Sequence, residues 1–385
     1  MTGAAKSATR TFTRADTSLL GRWWWTIDRW LLTAVILIAA IGAVLTMAAT
    51  PAVAERIGLD AFYFTRRQFV FLPLALGAMV AASLLSPRGV RRLALAIFCG
   101  AVALMALTLF VGVETKGATR WIQLGGLSVQ PSEFVKPAFA VLAAWMLTEQ
   151  RIDERFPGYA VSTGLFVLVM GLLLLQPDVG MAIVVAGVWA VQIFLAGLPL
   201  LLVGIIGFLF LSGGVGAYFA FGHVRTRVDR FLDPGDSGGY QIDRALEAFR
   251  NGGLFGRGPG EGRVKEVLPD AHADFIFAVA GEEFGLIVSL LIVGLFAFVV
   301  LRGFSRVFRE KDLFVLIAAS GLLVQFGLQA IINMASTTNL VPPKGMTLPF
   351  ISYGGSSTVA LALGMGMVLA LTRLRPGATP AGRET

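Results

Sequence analysis

Charged side chains are scarce in this chain, and cysteine and histidine are nearly absent. Only 15% of the 385 residues are Asp, Glu, Lys or Arg and 56% are hydrophobic, whereas soluble globular domains carry about 25% charged residues. A single cysteine, Cys99, excludes an intramolecular disulfide. Two histidines, His223 and His272, exclude a histidine-rich metal centre. The composition indicates a polytopic membrane protein.

Long apolar runs occupy most of the sequence. A membrane-spanning helix needs roughly 20 apolar residues, and ten runs approach that length. They cover residues 31–50, 68–86, 92–113, 133–149, 158–176, 179–196, 198–221, 275–301, 312–334 and 349–372. The sequence predicts an all-α integral membrane protein with about ten transmembrane helices in a single domain, residues 31–372. Residues 222–273 are the one long loop, between the seventh and eighth helices.

Basic residues determine the predicted orientation. Residues 1–30 carry five Lys or Arg residues and no apolar core typical of a cleaved signal peptide, so we expect a cytoplasmic tail. The positive-inside rule then places the short basic loops and residues 373–385 in the cytoplasm as well. The long loop is itself basic, so we rely on the short loops and the termini. Asp274 and the long loop are therefore expected outside.

The net charge of +8 does not indicate a nucleic-acid partner. The basic residues are scattered over the flanks of the apolar runs, where contact with anionic lipid headgroups explains them more simply. Membrane lipids, and no nucleic acid, are the predicted anionic partners.

Asp274 is the most informative residue, because it brings a carboxylate to the edge of a long apolar run. An ionisable group at full bilayer depth costs about 2.5–3.5 kcal/mol, and groups that persist there usually line a polar cavity or do chemistry. From the residues alone, Asp274 is a helix cap, part of an ion pair, a transport site or a catalytic group.

Glu133 and Lys136 are a second charged feature. Pro131 and Ser132 are typical helix-start residues, and a spacing of three places Glu133 and Lys136 on one face of that helix. One interpretation is a buried ion pair that neutralises itself. The other is a polar cavity wall, in which the lysine meets a phosphate and the carboxylate orients it.

Residues 333–357 enter the last apolar run through Pro and Gly. Interrupted backbone at membrane depth is tolerated where it is buried in protein or lines a polar cavity. Lys344 and Ser352 supply a charge and a hydroxyl for an anionic head group, and a kink without a ligand is the alternative. For Asp178, a helix cap is an equal alternative. For the adjacent pair Arg66 and Arg67, contact with lipid phosphates is an equal alternative.

The long loop contains two further patterns. Apolar residues recur at helical spacing over residues 240–249, which predicts a short amphipathic helix on the membrane. Glycines cluster over residues 256–262 and indicate a flexible loop or, alternatively, a phosphate cradle.

Five sequence blocks occur in order along the chain. They are Lys116–Trp121 (KGATRW), Gln130–Lys136 (QPSEFVK), Gln176–Gly180 (QPDVG), Leu268–Phe277 (LPDAHADFIF) and Pro349–Ser357 (PFISYGGSS). Together they resemble the SEDS family (shape, elongation, division and sporulation) over nearly the full chain. The block KGMTLPFISY, residues 344–353, is more similar to the division branch of that family than to its elongation branch.

The resemblance implies a ten-helix membrane enzyme that polymerises lipid II into peptidoglycan glycan strands for septal wall synthesis during cell division. It implies that Asp274 is the catalytic general base for attack of the acceptor 4-hydroxyl, with release of undecaprenyl diphosphate. Positive groups must hold that diphosphate. The expected substrate-binding residues are Lys136, Glu133, Arg120, Arg66, Lys344, Ser352, Asp178 and His272.

The resemblance also implies a partner and a place. The partner is a class B penicillin-binding protein, the septal transpeptidase, together with other divisome proteins, and the place is the division septum of the inner (cytoplasmic) membrane. A divalent cation, Mg²⁺ or Mn²⁺, shared with the diphosphate is compatible with the chemistry, although no ligand cluster demands it and no protein metal site is predicted. The alternatives are a lipid II flippase and a non-catalytic divisome scaffold. An acid at the outer boundary, rather than at the midplane where transporters bind substrate, favours the enzyme.

Overall fold

The structure is a computed structural model that describes residues 18–115, 118–124, 127–198, 200–220, 222–232, 240–342 and 345–374. Within these ranges the chain forms fourteen α-helices and three short β-strands. The helices are α1 (Leu19–Thr26), α2 (Arg29–Arg56), α3 (Tyr63–Ser83), α4 (Pro87–Val111), α5 (Pro131–Ile152), α6 (Gly158–Leu175), α7 (Val179–Leu195), α8 (Leu200–Ala220), α9 (Gly222–Leu232), α10 (Tyr240–Gly252), α11 (Val264–Val267), α12 (Ile276–Val307), α13 (Leu313–Thr337) and α14 (Gly355–Leu371). The strands are β1 (Val113–Thr115), β2 (Ala118–Leu124) and β3 (Leu127–Val129).

Ten of these helices, α2 to α8 and α12 to α14, overlap the ten predicted apolar runs. Among the described residues, α2, α4, α6, α12 and α13 are long and apolar enough to cross a membrane, whereas α7 and α14 are apolar but shorter. The mostly helical class with several apolar spans is confirmed. The number of ten transmembrane helices and their orientation stay predictions.

The last long helix begins later than predicted. The apolar run starts at residue 349, but α14 begins at Gly355. Phe350 has a φ of 61°, in the left-handed region that a continuing α-helix excludes. Residues 345–354, which we call the re-entrant segment, therefore form turns before the helix starts.

The centre of the fold is α5, which is buried along most of its length. It begins at Pro131, as the sequence predicts, because proline lacks the amide hydrogen that the first turn leaves unused. Small side chains let the surrounding helices approach closely. A Cβ atom on Gly366 of α14 would lie 2.4 Å from the Met79 carbonyl oxygen of α3, and one on Gly42 of α2 would lie 2.2 Å from the Phe350 carbonyl oxygen.

The alternating pattern of residues 116–130 predicts a short hairpin before α5, and the structure confirms it between α4 and α5. Strands β1, β2 and β3 form an antiparallel sheet in sequence order. Ile122 pairs with Val129 in the register of β2 and β3, and Ile122 is buried. The hairpin brings Arg120, on β2, over the start of α7.

The first and last described residues, near Asp28 and Leu374, lie on the same side of the helix bundle. Asp28 caps the start of α2, and its Oδ2 atom lies 3.0 Å from Arg302 Nε and 2.6 Å from Arg306 Nε at the end of α12. Near the other end, the Leu374 amide donates to the Thr26 carbonyl oxygen at 3.0 Å. The prediction that both tails lie on the cytoplasmic side of a membrane stays a prediction.

Much of the predicted long loop is helical. The predicted amphipathic helix is confirmed as α10, but its apolar residues Ile242, Ala245 and Ala248 are buried within the protein and do not face a membrane. Helices α9 and α11 are two further helices of this loop. The glycine cluster after α10 packs on the kink of α12 at Gly285, where φ is 76°. A Cβ atom on Gly256 would lie 2.2 Å from the Glu283 carbonyl oxygen, so this glycine permits a close backbone approach.

Candidate functional site

Asp274 lies in a turn directly before α12, half-buried, with only Phe275 between it and the first helical residue. The turn is held by buried Leu268 and Ala271 and by the nearly buried ring of Phe275. The partial positive charge at a helix start favours a carboxylate at this position. The side chain lies against the re-entrant segment, because a Cβ atom on Gly345 would be 3.3 Å from Asp274 Oδ2.

The Glu133–Lys136 ion pair is buried in the centre of the fold. Each residue is 2% exposed, and Lys136 Nζ lies 2.8 Å from Glu133 Oε2. The same ammonium group donates to Gln329 Oε1 at 2.9 Å and contacts Met181 Sδ at 3.1 Å. Protein groups on α5, α7 and α13 thus surround Lys136.

Gln329 extends this polar cluster to the re-entrant segment. Its Nε2 atom lies 3.2 Å from the Thr347 carbonyl oxygen and 3.3 Å from Ser357 Oγ. The hydroxyls of Thr347 and Ser357 lie 2.7 Å apart. The buried charge pair is therefore connected through Gln329 to the segment that contacts Asp274.

Arg120 and Asp178 lie together at the start of α7. Arg120 Nε donates to the Gln176 carbonyl oxygen at 3.1 Å, and its Nη2 donates to the Pro177 carbonyl oxygen at 2.6 Å. Arg120 Nη1 lies 3.5 Å from Asp178 Oδ2. The carboxylate of Asp178 also accepts from the Met181 amide at 3.2 Å, so the helix-cap interpretation of Asp178 holds in this structure. Both residues shape the turn before α7.

Of the two neighbouring arginines at the start of α3, the structure brings Arg67, rather than the predicted Arg66, to the Asp274 region. Arg66 is exposed and pairs with Asp60 at 3.6 Å. Arg67 lies over the Tyr63 ring, 5.0 Å from its centroid, and hydrogen-bonds the Tyr353 side chain.

His272 is largely buried and packs among aromatic rings. Its ring centroid lies 4.6 Å from that of Phe64 and 5.4 Å from that of Tyr353. The Ser352 hydroxyl donates to the Ala273 carbonyl oxygen at 2.6 Å and accepts from the Leu348 amide at 2.7 Å. In this structure both predicted substrate-binding residues hold the Asp274 turn. Lys344 lies outside the described residues.

The predicted substrate-binding residues did not include three residues of this region, namely Arg67, Gln329 and Asn333. The Asn333 amide group, fully buried on α13, donates to the Asp274 carbonyl oxygen at 2.9 Å. Gln329 and Asn333 are four residues apart on an otherwise apolar helix. That spacing places both amides on one helix face and is the signal that predicts them.

The glycine cluster does not offer a free phosphate cradle. The Gly260 amide donates to Glu283 Oε2 at 2.9 Å, and the Gly258 amide donates to the Glu283 carbonyl oxygen at 3.0 Å. Lys265 Nζ lies 2.6 Å from Glu283 Oε1. The glycines thus wrap a buried ion pair on α12. No group of three or more His, Cys, Asp or Glu side chains suited to a metal ion occurs in the described part of the chain.

The sequence model of the FtsW/RodA/SpoVE family, described as cell cycle proteins, matches residues 28–376. The probable peptidoglycan glycosyltransferase FtsW of Caulobacter vibrioides is 48% identical over 381 residues, which are 99% of this chain and 98% of that protein. Stage V sporulation protein E of Bacillus subtilis is 33% identical over 347 residues, 88% of this chain and 94% of that protein.

Two solved structures share the fold. A chain of a peptidoglycan synthase complex, described as coordinating polymerization and crosslinking, is 31% identical with a TM-score of 0.75, over 91% of this chain and 98% of that chain. The rod shape determining protein RodA of Thermus thermophilus is 30% identical with a TM-score of 0.65, over 91% of this chain and 97% of that chain.

Proposed function

We propose that this chain, which belongs to the FtsW/RodA/SpoVE family of cell cycle proteins, is a peptidoglycan glycosyltransferase that polymerises lipid II into glycan strands for septal wall synthesis. The observation that carries the proposal is the 48% identity to a probable peptidoglycan glycosyltransferase FtsW over 99% of the chain. The half-buried carboxylate of Asp274 beside Gly345 supplies a group suited to the chemistry.

Asp274 acts as the general base. Its carboxylate takes the proton of the acceptor 4-hydroxyl as that oxygen attacks the anomeric carbon of the donor sugar. The bond between the anomeric carbon and the diphosphate oxygen breaks, and its electron pair leaves with undecaprenyl diphosphate. The anomeric configuration is inverted, because attack and departure occur on opposite faces.

The leaving diphosphate departs on the face opposite the attacking hydroxyl and needs positive charge of its own within reach of the site. Arg67 is half-buried and hydrogen-bonds Tyr353 in the re-entrant segment. Lys344 directly precedes Gly345, the residue against which the Asp274 carboxylate lies. We assign the diphosphate to these two cations. Lys136 and Arg120 bind protein groups, namely Gln329 and the Pro177 carbonyl oxygen. We therefore assign them a structural role beside the site.

The place of action is the division septum of the cytoplasmic membrane, and the partner is a class B penicillin-binding protein. The fold shared with a chain of a peptidoglycan synthase complex that coordinates polymerization and crosslinking supports such a partner. The apolar helices α2, α4, α6, α12 and α13 support integration into a membrane.

The test is polymerisation of lipid II by the chain purified with its class B partner. Asp274→Asn keeps the shape of the side chain and removes the base, so we expect the rate to fall about 10²- to 10⁴-fold, the usual contribution of general-base catalysis. Asp270→Asn is the matched control, because Asp270 lies in the same turn and its φ of 53° suits asparagine. We expect the polymerisation rate of Asp270→Asn to stay within about threefold of native, a change far smaller than the fall expected for Asp274→Asn.

Three outcomes would change the assignment. Native-rate polymerisation by Asp274→Asn would exclude Asp274 as the base. Transport of lipid II into vesicles, with no polymer from the native complex, would indicate a flippase. Polymer formation that depends on the partner alone would indicate a scaffold. Reactions with Mg²⁺, with Mn²⁺ and with a chelator determine whether a divalent cation takes part.

A further inference from the structure

Three consecutive backbone carbonyl oxygens around Asp274 are held from outside their own turn. The His272 oxygen accepts from the Tyr353 amide at 3.0 Å, the Ala273 oxygen from the Ser352 hydroxyl at 2.6 Å, and the Asp274 oxygen from Asn333 Nδ2 at 2.9 Å. We call this set the carbonyl clamp. Two of its donors belong to the re-entrant segment and the third to α13.

Asn333 is the donor that connects α13 to both the Asp274 turn and the re-entrant segment. Its Nδ2 atom also donates to the Met346 carbonyl oxygen, at 2.6 Å, so both amide hydrogens are used. The residue is 0% exposed. A buried amide whose donors are matched in this way resists displacement, because water does not replace the lost bonds. Asn333 therefore holds Asp274 and the re-entrant segment at a set separation.

The same helix face carries the link to the buried ion pair. Gln329, one turn before Asn333, donates to the Thr347 carbonyl oxygen, the residue after Met346. Two amides of α13 thus hold consecutive carbonyl groups of the re-entrant segment. One amide reaches Lys136 and the other reaches Asp274.

We propose that Asn333 is a positioning residue for Asp274, which sets the place of the carboxylate relative to the re-entrant segment by clamping its backbone. This inference rests on the proposed function, because it assigns Asp274 as the base. A misplacement of about 1 Å costs on the order of 10²-fold in rate, since the base must lie within hydrogen-bond reach of the proton it takes. Asn333 itself need not touch the substrate.

The kinetic test compares Asn333→Leu with Ser320→Ala. Leucine keeps a similar volume and removes both donors, whereas Ser320 is a fully buried polar residue on the same helix that has no hydrogen-bond partner among the described residues. For Asn333→Leu we expect kcat to fall about 10²-fold with KM for lipid II within about twofold, because positioning acts on the chemical step. Ser320→Ala should keep both constants. An unchanged kcat, or a change in KM alone, would overturn the proposal.

A labelling test reports on the clamp without polymerisation. Asp274→Cys is made in a Cys99→Ser background, because Cys99 is exposed, and the rate of reaction with a water-soluble maleimide is measured. We expect Asn333→Leu to change that rate at least fivefold and Ser320→Ala to leave it unchanged. Equal labelling rates in the Asp274→Cys parent and in its Asn333→Leu and Ser320→Ala derivatives would overturn the proposal. Should Asn333→Leu fail to fold, Ser352→Ala takes its place in both tests, because Ser352→Ala removes the neighbouring bond of the carbonyl clamp.

The two tests separate the inference from the function. Absence of polymer from the native complex would reject the proposed function, and the labelling rates would still decide whether Asn333 holds residue 274. Loss of polymer with Asp274→Asn but native kcat and native labelling with Asn333→Leu would keep the function and reject the positioning role.

Discussion

Replacing Lys136 with methionine removes the positive partner of a buried carboxylate. Methionine has a similar length and no charge, so the change leaves Glu133 without the ammonium group that lies 2.8 Å from it. Gln329 Oε1 loses its donor at the same time. The remaining Glu133 side chain must stay charged without a partner or take up a proton, and both are unfavourable in a buried site.

The size of the effect follows from the burial of both partners, each 2% exposed. Removing one member of a buried pair costs about 3–5 kcal/mol of unfolding free energy. Replacing both members with apolar side chains of similar volume, Glu133→Met and Lys136→Met together, is often neutral for the pair itself. The double variant should therefore lose only about 1–3 kcal/mol, which is the cost of the unsatisfied Gln329 acceptor. The difference between single and double variants is the signature of the pair.

The assay is equilibrium unfolding in detergent, with the denaturant midpoint compared at unchanged slope. Arg66→Met is the matched control, because Arg66 pairs with Asp60 at the surface, where 72% of the Arg66 side chain is exposed. That variant should lose less than about 1 kcal/mol. A loss below about 1 kcal/mol for Lys136→Met would refute the reasoning from burial.

Polymerisation by the double variant separates the two interpretations of the pair. A folded double variant with native activity would mean that Glu133 and Lys136 only neutralise each other. A folded double variant with lost activity would mean that Lys136 takes part in substrate binding.

Two further predictions concern close packing and an ion cluster. Gly42→Ala should lower thermal stability and the rate of lipid II polymerisation, because the new Cβ would lie 2.2 Å from the Phe350 carbonyl oxygen. Gly77→Ala is the control: its Cβ meets nothing within 4 Å, so both quantities should stay at the native value. Burial alone would raise the pKa of Asp28, but the hydrogen bond and charge of Arg306, the Leu31 amide and the charge of Arg302 together outweigh burial and hold that pKa below its usual value. The resulting stability is present above the unfolded pKa of about 3.9 and is lost as pH falls through the folded value. Thermal unfolding from pH 7 to pH 3 should therefore show Asp28→Asn less stable than native at pH 6, with the difference shrinking below about pH 4; a constant difference would contradict this.

The local elements of this protein were accessible from sequence. Apolar runs predicted the positions of ten helices, and helical spacing predicted α10. The hairpin before α5 and the spacing of Glu133 and Lys136 were predicted in the same way. Each depends on hydropathy or geometry within a short window, which the order of residues determines directly.

The contacts around Asp274 were not accessible in this way. Asn333 is 59 residues from Asp274 in sequence, and Ser352 is 79 residues from Ala273. Which of two adjacent arginines turns inward also depends on how α3 packs, and the sequence favoured Arg66 where the structure brings Arg67 to Tyr353. A hydrogen bond needs its donor within about 3.2 Å of its acceptor and correctly oriented. Such a position depends on how distant helices pack, which a short window of sequence does not give.

The sequence by itself determined a membrane protein of long helices with a carboxylate at the edge of an apolar run. Only the tertiary structure decided that this carboxylate lies against Gly345 and that its backbone is clamped by Asn333. The reason is physical: helix formation and membrane insertion follow from local composition, whereas the position of this carboxylate follows from the packing of helices that are distant in sequence.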